Sequence, residues 1–209
     1  MKKLLFLLTS MSVFLFLLSS VAMGYTLSFD NITNNESGDA AIGESQMFVD
    51  VSSDDSDQVL FHFRNDGPDA SSLTDIYFDD DGLFTPPVQI VGNSAGVSFT
   101  PDSDSSVAPP ELSGGNDIGF VTTDHLSADS DPPIAPNGIN PGEWLEIALG
   151  LESDKTFADV IDDLTSGALR IGIRVQGFAS EGSESFVNNP VPLPAAAWLL
   201  GAGFLGLVG

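Results

Sequence analysis

Along Val59-Leu60-Phe61-His62-Phe63-Arg64 the apolar side chains alternate: Val59, Phe61 and Phe63 share one face, His62 and Arg64 the other. A period of two is the mark of a strand buried on one side. The same alternation aligns Leu145, Ile147, Leu149 and Leu151 within residues 143–151. It also sets Leu169, Ile171, Ile173 and Val175 against Arg170, Arg174 and Gln176. Shorter runs at 25–29, 46–51, 74–78, 88–91, 97–100 and 118–122 are bounded by Asn, Asp, Gly and Pro, which turn the chain, and they predict further strands. Between the two late strands the period changes. Phe157, Val160, Ile161 and Leu164 recur at helical spacing and predict one short helix starting near Ser153 or Asp154. Residues 31–43, 101–116 and 127–142 are polar and rich in turn formers, and they read as loops. Nine or ten strands with a single helix predict an all-β fold, a two-sheet β-sandwich with the jelly roll among its forms.

Both ends of the chain break this pattern. Lys2 and Lys3 precede an apolar stretch from Leu4 to Leu18, and small residues follow up to Gly24. That layout predicts a secretory signal peptide over 1–24, cleaved by signal peptidase between Gly24 and Tyr25. At the other end, Ala195 to Gly209 contains only Ala, Leu, Gly, Phe, Trp and Val. A helix of these residues is apolar all round, as suits a bilayer. The expected organisation is therefore a signal peptide (1–24), one ectodomain (25–187) and a C-terminal segment (188–209) that meets the membrane through its apolar helix.

Charge narrows the partners of the middle segment. The chain has 30 acidic and six basic residues. Beyond Gly24 all 30 acids remain but only Arg64, Lys155, Arg170 and Arg174, so 4 minus 30 gives −26. Nucleic acid is excluded as a partner, because a polyanion meets no basic patch to replace its counterions. Of the acids, 22 are Asp and 8 are Glu, a bias toward turns that agrees with an all-β fold. With no cysteine there is no disulfide, thiol nucleophile or cysteine-bound zinc.

Few motifs carry chemistry. Gly92-Asn93-Ser94-Ala95-Gly96 has the spacing of a hydrolase nucleophile elbow, which needs a strand before it and a helix after it. A strand is expected after it instead, so a hairpin turn is the better reading. A triad would have to draw on His125 with Asp102, Asp104, Asp117 or Asp124. Two histidines, His62 and His125, are too few for a three-histidine zinc site. Calcium, which takes oxygen ligands from loops, is the expected cation if there is one. Asp79 and Asp81, in Asp79-Asp80-Asp81-Gly82, are the candidate ligands, beside the acidic groups Asp54/Asp55/Asp57, Asp102/Asp104 and Asp129/Asp131. Aligned on Gly82, an EF-hand loop would begin at Tyr77 and end at Val88, so that particular motif fails. Trp144 lies opposite Leu145 on its strand, where it can cover an edge or stack on a sugar.

The tail Val191-Pro192-Leu193-Pro194-Ala195, followed by Ala-Ala-Trp-Leu-Leu-Gly-Ala-Gly-Phe-Leu-Gly-Leu-Val-Gly, resembles the sorting signal of PEP-CTERM proteins in its Val-Pro-Leu-Pro-Ala variant. The resemblance covers about a tenth of the chain. It implies export from a Gram-negative bacterium, an intermediate held in the inner membrane, and cleavage near Val191–Ala195 by an exosortase. It also implies a final place on the cell surface or in an exopolysaccharide or biofilm matrix. In that family an Arg-rich cluster ends the signal, so one is expected to follow Gly209. These features predict a non-enzymatic structural, adhesive or carbohydrate-associated protein; the alternative is a secreted hydrolase acting on polysaccharide or ester substrates.

Overall fold

The computed structural model describes residues 24–53, 57–102 and 110–189. The predicted signal peptide up to Met23, the Val191–Ala195 motif and the apolar run after it lie outside the described residues. Ten antiparallel strands dominate: β1 (Tyr25–Asn31), β2 (Met47–Ser53), β3 (Gln58–Asn65), β4 (Ser72–Asp79), β5 (Phe84–Asn93), β6 (Phe99–Pro101), β7 (Ser127–Ser130), β8 (Trp144–Leu151), β9 (Arg170–Gln176) and β10 (Glu184–Asn188). The helices are α1 (Ser37–Gln46), α2 (Ile134–Asn137) and α3 (Phe157–Ser166), with a 3₁₀ turn at Gly115–Ile118. The all-β prediction holds in this broad sense.

The strands form one sheet in the order β5-β8-β3-β2-β1-β10-β9-β4-β7-β6. β1 is its hinge. Residues 25–28 pair with β2, and residues 29–31 pair with β10. The sheet folds over at this strand, so that β3 meets β4 across the interior although five places separate them in the order. Phe61 and Phe78 meet edge to face at 5.0 Å, and Phe61 also meets Phe84 at 5.8 Å. Around them the predicted inward positions Val59, Phe63, Leu145, Ile147, Leu149, Ile171, Ile173 and Val175 are completely buried. Each large side chain so buried contributes about 1.5–3 kcal/mol, and in a chain without disulfides this core carries the fold. At the two outer edges, prolines mark the ends of the ladder. β5 carries Pro86 and Pro87 where its register with β8 shifts, and the short β6 ends at Pro101. A residue without an N–H suits an edge strand.

The helix α3 starts at Phe157, capped by Thr156, rather than at Ser153 or Asp154. Thr156 and Asp159 form a capping box, and Gly167 closes the helix in the left-handed region at φ +79°. Val160, Ile161 and Leu164 turn inward, as their spacing predicts.

Four expectations need correction. Residues 37–46 form α1 within a stretch expected to be loop. Its helicity comes from tertiary contacts rather than propensity. Gly43 lies against the Phe186 ring, where no Cβ would fit, and Asp39 accepts a hydrogen bond from Ser180. Residues 118–122 do not form a strand. Their Ile-Gly-Phe-Val-Thr pattern places Phe120 against the sheet, but Phe120 N donates to Gly115 O and Val121 N to the Asp79 carboxylate, so no ladder forms. The supposed loop 127–142 contains β7, whose Ser-Ala-Asp-Ser sequence has only Ala128 as an apolar residue facing the core. The strand β10 lies beyond the last predicted strand, and all five of its residues are buried.

Candidate functional site

The strands fix two ends of the domain. At one end lie Asn65, Trp144 and Asn93, where Asn65 reaches Ser71 just before β4. At the other lie Asp79, which ends β4, and Arg170, its partner on β9. The candidate chemistry divides between them.

Ser94 is at the first end. Its hydroxyl oxygen accepts the Trp144 N–H at 3.0 Å, and its own N–H donates to Trp144 O at 2.9 Å. Gly96, at φ +102°, completes a turn. The segment is a turn, but not the expected hairpin: β5 pairs with β8 and β6 with β7. Beside it the Trp144 ring stacks on His62 at 4.9 Å and passes so close to Gly92 that a Cβ there would lie 3.1 Å from it. His62 Nδ1 lies 3.4 Å from Glu146, and Arg64 joins Asp50 and Asp66 while covering Phe48. This outer sheet face is a tight mosaic of aromatic and charged groups.

Asp79 and Asp81 are at the other end, in the turn after β4. Asp79 accepts from Arg170 and from Val121 N. The neighbouring Asp80 accepts the N–H groups of Leu83 and Phe84 at 2.9–3.1 Å. Burial raises the Asp80 carboxyl above its ordinary value, against the pull of those bonds. Asp81 is exposed. Two of the three carboxylates are thus occupied by protein donors.

Close by, on the outer face of β4, β7 and β9, register aligns Arg174, Asp75 and Asp129 in one row. Loss of solvation, followed by the charge of Asp75, a hydrogen bond with it and the charge of Asp102, pushes Asp129 up to about 6. Tyr77, in the next row, is raised by burial and by Asp75 and Asp129. Leu112 and Phe120 cover this row, packing on Tyr77 and over Gly172, whose missing side chain makes room for the Phe120 ring and a Leu112 methyl. Beside them is a depression of 220 Å³ lined by Pro110, Glu111, Leu112, Asn116, Phe120, Val121 and Thr122. It is smaller than the ~300–1,000 Å³ usual for ligand pockets.

The structure also brings together Asp102, Asp124 and His125. One ligand atom from each lies within 4.8 Å of the others. Asp102 follows β6 and donates its N–H to Ser127 O at 3.0 Å. His125 sits in the turn before β7 at φ +59°, and its carbonyl accepts the Val88 N–H at 3.3 Å. These are the residues that the sequence offers as partners for Ser94. They meet each other, at the opposite end of the strands from that serine. Pairing of β6 with β7 creates the juxtaposition, and nothing in the spacing of 102 and 125 announces it. The predicted cleavage point Gly24–Tyr25 is the start of β1. No helix of the described residues is long and apolar enough to cross a membrane. No protein-family model matches the chain, and neither the curated proteins nor the solved structures contain a match to it.

Proposed function

We propose that this chain is an exported surface or matrix protein of a Gram-negative bacterium, sorted through its Val191–Ala195 motif by an exosortase. Its ectodomain has a non-enzymatic structural, adhesive or carbohydrate-associated role in exopolysaccharide. On this reading the folded sheet is a two-layer sandwich of the jelly-roll kind: β5, β8, β3, β2 and the first half of β1 face the rest of β1 with β10, β9, β4, β7 and β6.

One observation carries the reading. The first described strand begins at Tyr25, directly after the predicted cleavage point, and the last described strand ends at Asn188, three residues before Val191 of the proline-spaced motif. Asn189 N donates to Ser28 O, so the chain leaves β10 alongside the first half of β1. The non-enzymatic role is supported by the use of the Ser94 hydroxyl oxygen in holding Trp144 N, and by the small volume of the Phe120 depression.

The test is expression of the full chain, extended by its native downstream codons, in a Gram-negative host with and without an exosortase. Mass spectrometry is expected to find Tyr25 at the mature N-terminus. The tail is expected to be removed only with the exosortase, and only when Val191–Ala195 are intact. A mature chain that keeps Met1, or tail loss that ignores alanine replacement of the motif, overturns the reading.

A further inference from the structure

The geometry points to a divalent transition-metal site formed by Asp102, Asp124 and His125, distinct from the acidic turn at Asp79–Asp81 and independent of the proposed function. Three potential ligand atoms from two separate chain segments fall within 4.8 Å of one another. A tetrahedral zinc ion with bonds of about 2.0–2.2 Å needs ligand atoms about 3.3 Å apart, so the side chains have to close in around the ion, and the Asp124 side chain, 56 % exposed, has room to turn toward it. The backbone of the site is fixed beforehand. Asp102 N is tied to Ser127 O, and the turn at His125 is closed by Leu126 N donating to Thr123 O at 3.0 Å.

The imidazole itself supplies a second, independent sign. The His125 side chain is only 22 % exposed, yet its Nδ1 is buried with no hydrogen-bond partner. Its Nε2 lies 3.5 Å from Asp124 Oδ2, beyond the usual 2.7–3.2 Å range. Buried histidines in structural roles normally engage their polar atoms. Among the described residues no good hydrogen bond competes for the ring, and it stands beside two carboxylates whose charges would balance a divalent cation.

The ligand set identifies the class of ion. Calcium and magnesium favour all-oxygen shells, whereas imidazole with carboxylate suits zinc and its first-row neighbours. The site therefore discriminates for zinc over calcium, and three protein ligands leave a coordination position open to water.

Isothermal titration of the chelator-treated full chain in detergent, with zinc chloride and separately with calcium chloride, tests this. One equivalent of zinc is expected to bind, at least about 10-fold more tightly than calcium. His125→Gln and, separately, Asp124→Asn are each expected to weaken zinc by at least about 10-fold, while His62→Gln leaves it unchanged. The exposed Asp124 side chain makes D124N a ligand loss without a core change, and circular dichroism of both variants checks the fold. Zinc binding that survives both substitutions, that His62→Gln abolishes, or that calcium matches overturns the assignment.

Discussion

Glu184 offers the sharpest test of how this fold is held. It lies on β10 and is 1 % exposed. Its carboxylate accepts from Asn31 Nδ2 at 3.0 Å, from Glu36 N at 2.6 Å and from the Thr33 hydroxyl. One side chain thus ties the last strand to the segment linking β1 to α1. Burial alone would raise its pKa, but the hydrogen bonds from Thr33, Glu36, Asn31 and Asn35 outweigh it and hold the carboxyl below its ordinary value. In Glu184→Gln one acceptor oxygen remains. It can serve Glu36 N or the Asn31–Thr33 pair, but not both, and Thr33 Oγ1 already accepts from Ser185 N. Losing one charge-assisted bond costs about 2 kcal/mol, and leaving all the donors unpaired in Glu184→Ala about 4 kcal/mol. For a domain of this size Glu184→Gln should lower the Tm by about 4–8 °C. Urea melts followed by circular dichroism at pH 7 measure both losses. The sign with pH follows from the depressed value. The contribution is complete above the unfolded carboxyl value near ~4.3 and disappears as pH falls through the lower folded value. A Glu184→Gln loss below about 0.5 kcal/mol at pH 7, or one unchanged at pH 2.5, would refute this account.

Asp129 behaves in the opposite sense. Its folded pKa of about 6 exceeds the ordinary ~3.9, so it destabilises the fold above pH 6 and ceases to do so below about pH 4. Because the residue is exposed, the penalty is discounted to about 1 kcal/mol; Asp129→Asn should raise the Tm at pH 7.5 by about 2–4 °C and leave it unchanged at pH 3.5, read by differential scanning fluorimetry. Gly43→Ala drives a methyl into the Phe186 ring and should destabilise by about 1–3 kcal/mol, read in the same urea melts. Thr156→Ala removes the N-cap of α3 and should cost about 1 kcal/mol, with a smaller helical signal on heating.

The contrast between the strands that could be read and those that could not is physical. β3, β8 and β9 alternate because one face is core and the other solvent, and that burial is written in each residue. β7 could not be recognised, because on its outer face the polar Ser127 is buried beneath the Leu112–Phe120 loop while Asp129 is exposed, so polarity does not separate core from solvent there. The helix α1 was equally hidden. Gly43 is unfavourable in a helix interior, and only the presence of Phe186, over a hundred residues away, explains it. The same holds for the metal ligands. Asp102, Asp124 and His125 are visible as residue types, but the pairing of β6 with β7 that joins them depends on two short polar strands.

The division of β1 between two partners also governs the order in which the sheet can be completed. Of the described strands, β1 is the first to emerge during synthesis and β10 is the last. Phe29–Asn31 therefore cannot gain their β10 hydrogen bonds until almost the entire domain has followed. The seam between first and last strands spans the greatest sequence separation in the sheet, the kind of contact that slows folding. A sheet arranged this way closes its seam last, so its topology sets the order of its own assembly.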